Sequence, residues 1–464
     1  MSTWQQWQNT EREDFFSAVA RHRHAAWRIT LVCGIAYAVL ALVMSLLLAP
    51  LLYGVAGLVL DVVNLLFPVP DLLVYVGKRV SLVIDNPAAV PMTDLLTFIL
   101  LASAPGLLLM VVVAWVVSRT MRQSALFDTT RQVGRSPDPR NLVELQFANT
   151  LEEMAVAALI PVPKVVIIEG GANAAASGMD ALQATVMVGQ SLLVSLDRAQ
   201  MQGIAAHLIA SIADNDMKIG MRTASVLGVF ALLTRLSVNL LDKDSFAASR
   251  HLLRALCVPT AANQAFVLAQ LSDPFADTTP RQPQQHTSKL GWKEWLLMPL
   301  MGPVWFSGFL GGFVSALILS PAISLAWQQR KYMADATAVR LTREPDGLSG
   351  ALSALSHANT SLLSSAWANH LCVVAPQQEM GMIVSVFPSV EKRLVALIRM
   401  GANKQLLTVP QSASPLWVKG LIGSLLVVMA ALVAVLLPLL VMASAMLSIF
   451  FTIIPVAILH TLLR

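Results

Sequence analysis

Charge is scarce in this chain. Asp, Glu, Lys and Arg make up 13% of its 464 residues, where a soluble domain carries about a quarter. With 56% hydrophobic residues and a mean hydropathy of +0.66, that scarcity excludes an ordinary soluble protein and points to a membrane protein with a substantial non-membrane portion. Cysteine is scarcer still. Cys33, Cys257 and Cys372 are odd in number, lie in unrelated segments and form no Cys-x-x-Cys pair, which excludes a disulfide framework and a cysteine metal site. No Gly-Lys-Ser/Thr follows the small-residue run 170–178, so it is no phosphate loop. No Gly-x-Ser-x-Gly elbow or Ser/His/Asp order is present either. The net charge of +5 and the absence of any nucleic-acid motif exclude a DNA or RNA partner and suit loops beside anionic lipid. A secretory signal is also missing: polar or mixed residues 1–28, with Arg12, Arg21, Arg23 and Arg28, precede an apolar run too long for a signal core.

What the chain does have is long apolar runs. Residues 1–28 read as a charged, amphipathic N-terminus at the membrane surface. Residues 29–118 hold two spans, 29–60 and 95–118, around a short external connector. Residues 119–222 form a first soluble block. Residues 223–327 form a transmembrane hairpin of spans 224–241 and 297–327 around an external loop, 242–296. Arg235, inside the third span, reads as a snorkelling or paired cation. A second soluble block covers 328–416. Residues 417–464 are too long for one span and read as a hairpin turning near Pro438. The spacing therefore predicts a multispanning α-helical membrane protein of about six spans. Its α+β domain is split by the middle hairpin. Most Lys and Arg fall on the side of the two soluble blocks, which places that domain in the cytoplasm beside an inner bacterial membrane.

Within the first block, 141–160 reads as an amphipathic helix, 164–168 and 185–188 as strands, and the chain from about Asp197 as a helix carrying His207. The stretch 202–216 is the centre of this organisation. A zinc peptidase helix needs His-Glu-x-x-His: two imidazoles one turn apart and a Glu to deprotonate water. Here His207 is followed by Leu208 at the Glu position and Ser211 at the second His position.

Several segments carry a family resemblance in order. Ile160-Pro161-Val162-Pro163 leads into the first strand. Ala172-Asn173-Ala174-Ala175-Ala176-Ser177-Gly178 is similar to an Asn-Ala-Phe-x-x-Gly edge segment. Leu196-Asp197-Arg198-Ala199-Gln200 approaches the His207 helix. Arg330-Lys331-Tyr332-Met333-Ala334-Asp335-Ala336 is similar to Arg-Glu-x-x-Ala-Asp-Ala, and Phe387-Pro388-Ser389-Val390-Glu391-Lys392-Arg393 to His-Pro-x-x-Glu-x-Arg. The chain resembles the integral-membrane zinc metallopeptidases of the HtpX and CAAX prenyl protease type. That resemblance implies zinc ligands at positions 207, 211 and 331, a general base at 208 and a transition-state histidine at 387. The residues there are His207, Ser211, Lys331, Leu208 and Phe387, so only His207 is retained.

The expectation is a pseudopeptidase without a zinc site, acting as a scaffold, adaptor or regulator in the bilayer for a membrane-protein or peptide partner. It needs no cofactor. An edge segment at Asn173, Ala174, Ala175 and Ala176 would pair with an extended peptide by backbone hydrogen bonds, and the small side chains would leave room for it or merely pack closely. The alternative is a residual metallopeptidase holding zinc on non-standard ligands, His207 with Asp214 and Asp335. His286, His357, His370 and His460 sit at no ligand spacing. No oligomeric state follows from the residues.

Overall fold

A computed structural model describes residues 13–64, 66–68, 91–123, 134–178, 180–217, 251–258, 320–356, 358–360, 371–375 and 387–403, together with a few scattered positions outside these ranges. Helix α1 (Phe15–Asn64) runs 50 residues without interruption. At 1.5 Å per residue it is roughly 75 Å long, more than twice the ~30 Å hydrocarbon core of a bilayer. Its segment Phe15–Leu42 is, among the described residues, the one helical stretch both long and apolar enough to cross a membrane; shorter apolar stretches are Leu52–Asn64 and Ser103–Arg119. The helix continues through residue 28, where the N-terminal segment was expected to give way to the first span. Its first turns pack on the soluble domain rather than lying free at the surface, with Ala18 and Val19 buried against Met333 and Ala336. His22 Nδ1 lies 2.8 Å from Gln329 Oε1 in the same contact.

Helix α2 (Met92–Gln123) contains the second expected span and packs along α1. The two backbones meet at Gly106, where a Cβ would collide with the main chain of Ser45. The third expected span, the loop 242–296, most of the fourth span and the C-terminal hairpin fall almost wholly outside the described residues.

The part of the chain that follows α2 is built on a short sheet. Strands β1 (Lys164–Ile168), β2 (Ala174–Ser177) and β3 (Thr185–Gly189) lie in the order β1-β3-β2. β1 is parallel to β3 and β2 antiparallel to it. Helix α3 (Leu142–Ala157) precedes the sheet, with the Asn141 side chain accepting the Val143 N–H as its cap. A short helix α4 (Gln190–Ser195) leads to α5 (Arg198–Ala213), which starts in a capping box between Asp197 and Gln200. The box satisfies two N–H groups that the first helical turn leaves unpaired.

After its polar first turns, α5 is buried on every side from Gly203 to Ile212. The second block supplies its cover: α6 (Ser320–Thr342), α7 (Pro345–Leu355) and α8 (Val390–Arg399). Ile204, Leu208 and Ile209 share one core with Val339, Leu348, Leu352 and Leu397. α5 and α7 touch backbone to backbone, since a Cβ on Gly203 would meet Leu348 and one on Gly347 would meet Ala199. The two soluble blocks thus complete each other around the helix that carries His207.

Candidate functional site

The helical period places His207, Leu208 and Ser211 within one turn of each other. All three are buried. Helix α6 lies against α5 and contributes Lys331 and Asp335, again one turn apart. Asp335 is where the charges converge. Arg393 of α8 donates from Nε to Oδ2 at 2.8 Å and from Nη2 to Oδ1 at 2.7 Å, and both residues are 1% exposed. Nδ1 of His207 lies 2.9 Å from the same Oδ1. The angle does not complete a hydrogen bond, and among the described residues neither ring nitrogen has one.

Burial dominates the titration of His207 and pushes it down to about 4, against the pull of Asp335 and with Arg393 and Lys331 adding to the fall. The ring is neutral at pH 7. For Asp335 burial works upward, but Arg393 and then His207 outweigh it and hold the carboxyl below the usual carboxylate range. Asp335 is therefore the ionised counter-charge of Arg393, with the neutral imidazole beside it. A carboxylate behind a ligand imidazole is the support that metal sites place in their outer shell. That support is present here around a ring that has no partner ligands.

Lys331 closes the site. It is 4% exposed, its Nζ donates to the carbonyl of Cys372 at 2.6 Å, and it lies 5.4 Å from the centroid of the Phe387 ring. The positions of the expected glutamate ligand and the expected downstream histidine are thus joined as an ammonium over an aromatic face. Burial first, and Arg393 next, push the lysine down to about 8. An unfolded chain returns it to the ordinary 10.5, so between pH 8 and 10.5 the unfolded state binds more protons and stability rises with pH. The gain is on the order of 3 kcal/mol. Denaturant midpoints of the parent and Lys331→Met measured from pH 7.5 to 10.5 should show this rise in the difference between them. Parallel pH curves would remove the buried-ammonium assignment.

The alternative ligand set is brought together only in part: Asp335 lies 2.9 Å from His207, while Asp214 is engaged elsewhere. Asp214, at the end of α5, accepts from Thr337 Oγ1 at 3.1 Å, and Arg23 of α1 approaches it to 3.6 Å. Asp216 receives Nε of Arg330, whose Nη2 also donates to the Asp214 carbonyl at 2.6 Å. Burial raises both carboxyls, Asp216 to about 6. These aspartates tie α5 to α6 and α1. Among the described residues no group of three His, Cys, Asp or Glu is arranged to hold a metal ion. Zinc does not fit the side chains at the expected positions. One imidazole remains, Ser211 is a poor ligand beside it, Leu208 offers no donor, and Lys331 would set an ammonium against the cation.

The expected open edge at Asn173, Ala174, Ala175 and Ala176 is corrected. β2 does end the sheet, but its outer side is covered by the chain's own residues 371–375, with Ala175 bridged to Cys372. The alanines are at most 3% exposed and face two packed layers, Ala174 and Ala176 in one and Ala175 in the other. Small side chains serve close packing here. Nothing in the expectations above points to this covering segment. Its signal was the short run Leu371-Cys372-Val373-Val374, strand-like and apolar beside polar neighbours.

Comparison with known proteins places this geometry. The model of peptidase family M48 matches residues 141–400. A protease HtpX homolog from Listeria monocytogenes serotype 4b is 28% identical over 210 residues, covering 45% of this chain and 57% of that protein. Homologs of the same name from Dictyoglomus thermophilum (29% over 268 residues; 56% and 70%) and Thermoanaerobacter pseudethanolicus (28% over 251 residues; 54% and 70%) are similar. The chain thus spans little more than half the length of the Listeria relatives it matches. No solved structure matches it.

Proposed function

The chain belongs to peptidase family M48, and from that premise we propose a membrane-anchored member that binds proteins or extended peptides without cleaving them, as a scaffold, adaptor or regulator. The observation that carries this reading is Lys331. A buried ammonium, sealed between the Cys372 carbonyl and the Phe387 ring, stands where the family resemblance expects a zinc-binding carboxylate. Among the described residues no side chain around it can do the missing work. Leu208 cannot accept a proton from water, and His207 has no second ligand beside it. The frame that held the chemistry is retained in the Asp335–Arg393 pair and the packed α5–α6 contact. Retention of the frame with loss of its reactive groups is what a binding role requires.

In this reading the soluble domain faces the cytoplasm beside an inner bacterial membrane, and the remaining spans lie in residues 224–327 and 417–464. The partner is a membrane protein or peptide, with no nucleic acid and no cofactor.

Metal analysis of the full-length protein, purified in detergent without chelator and supplied with zinc, tests the proposal. The expected content is far below one zinc per chain, with no chelator-sensitive cleavage of an unfolded protein substrate. One zinc per chain together with cleavage abolished by a chelator would establish a residual metallopeptidase instead.

A further inference from the structure

Residues 371–375 are held in an unusual way. Four consecutive carbonyls each accept a hydrogen bond from the side chain of a different part of the chain. Cys372 accepts from Lys331 Nζ at 2.6 Å, Val373 from Arg393 Nη1 at 2.6 Å, Val374 from Asn173 Nδ2 at 2.9 Å and Ala375 from Thr360 Oγ1 at 2.8 Å. Two amides are also tied: Val373 donates to the Ala174 carbonyl at 2.8 Å and Val374 to Asn173 Oδ1 at 3.3 Å. Leu371 to Val374 are all buried. Buried backbone groups must find partners, and this segment finds them mostly in side chains rather than in a long strand ladder. Backbone pairing with β2 is a single antiparallel bridge at Ala175 and Cys372.

An extended segment lying antiparallel along the outer side of a sheet is what an added peptide strand does. Here the chain supplies that segment itself. Position 331 decides whether the arrangement is stable. Its side chain points at the Cys372 carbonyl, an acceptor. A lysine there attracts the carbonyl with a charged donor, whereas the glutamate implied by the family resemblance would set a carboxylate against it and repel it. One exchange at this position therefore removes a metal ligand and creates a clasp.

We propose that Lys331 is a latch that pins residues 371–375 over the outer edge of β2, so that the chain's own segment takes the place of an extended peptide and a partner strand gains that edge only when the segment lifts. The inference rests on the peptide-binding reading above, but its test is independent of metal content. A zinc-free protein whose segment is not latched would overturn the latch alone.

The test is hydrogen–deuterium exchange of the full-length protein in lipid nanodiscs, parent against Lys331→Met. In the parent, the amides of Val373 and Val374 should exchange far more slowly than open-loop amides, though faster than those of β3. In the variant they should exchange roughly 10- to 100-fold faster, the loss of one hydrogen bond to a charged group, while β1 and β3 keep their protection. Exchange of the segment at open-loop rates in the parent, or unchanged protection in the variant, overturns the proposal. Should the variant fail to fold, exchange of the parent in graded sub-denaturing urea decides. A segment that opens before β3 supports the latch, and one that opens only with β3 in a single global event overturns it.

Discussion

A variant carrying Leu208→Glu, Ser211→His and Lys331→Glu is expected to bind one zinc ion per chain, against far less than one in the parent under the proposed reading. The expectation follows from what the fold has kept. Positions 207 and 211 lie one turn apart on α5, the spacing that two imidazoles need to reach one metal. Position 331 is one turn from Asp335 on α6, and Asp335 already reaches His207 at 2.9 Å, so position 331 lies on the face of α6 that meets α5. Asp335 stands behind the His207 ring as an outer-shell carboxylate and needs no change. The ring itself titrates at about 4 and is neutral at pH 7, the form a metal requires. Removing Lys331 takes away the ammonium that would repel a dication, while the charge of Arg393 stays balanced by Asp335. Metal content should rise to about one zinc per chain. Bound zinc should also stabilise the fold by roughly 4 kcal/mol when free zinc exceeds its dissociation constant a thousandfold, a shift that chelator reverses. A variant that folds but stays metal-free would show that the retained frame does not preserve ligand geometry, and that the site has diverged beyond its reactive side chains.

The elements of this site differ in how far local sequence specifies them. The α5 helix was plain, because its apolar period and the Asp197–Gln200 cap are encoded within a few residues. Strands β1 and β3 were legible for the same reason, as short β-branched runs ending at turn residues. The juxtaposition of His207 with position 331 was legible only through the family resemblance, since nothing within either segment says that the two helices meet. At residue 28 composition changes while helix propensity does not, so the helix runs on through it. A polar helix face can dock on a domain as readily as on a membrane surface, and in α1 it docks on α6.

The closed edge of β2 was the largest difference. Ala174, Ala175 and Ala176 signal close packing, but not what they pack against. The covering segment lies nearly two hundred positions away, as Val374 does from Asn173. Its binding depends on donors scattered over Lys331, Arg393, Asn173 and Thr360. None of these four has a spacing that announces a common target. The carbonyls they serve belong to the backbone, which sequence pattern does not display. Arg393 was visible as a motif position, but its burial at 1% and its two simultaneous roles were not.

Those two roles make Asp335→Ala the most damaging single substitution in the domain. Arg393 is the largest fully buried side chain among the described residues, and its charge is balanced by Asp335 through two hydrogen bonds. Deleting the carboxylate leaves a guanidinium inside the core with the Val373 carbonyl as its remaining partner among the described residues. Breaking a buried pair from one side costs about 3–5 kcal/mol, because the surviving charge keeps its desolvation penalty without the attraction that offset it. Chemical denaturation of the soluble signal should show a loss of that size. The paired change Asp335→Leu with Arg393→Met should cost much less than the sum of the two single changes, since apolar side chains of similar size carry no charge to strand. The pH response supplies the sign. The folded-state value of Asp335 lies below its ordinary 3.8, so its contribution is complete above that value and disappears as pH falls through the lower one. The parent should lose stability on acidification below pH 4 more steeply than Asp335→Ala, which has no such group left to protonate. Equal slopes with a loss under 1 kcal/mol would mean that Arg393 finds water or another counter-charge. The charge cluster behind His207 would then not be the fixed frame on which both the zinc-rebuilding variant and the Lys331 latch depend.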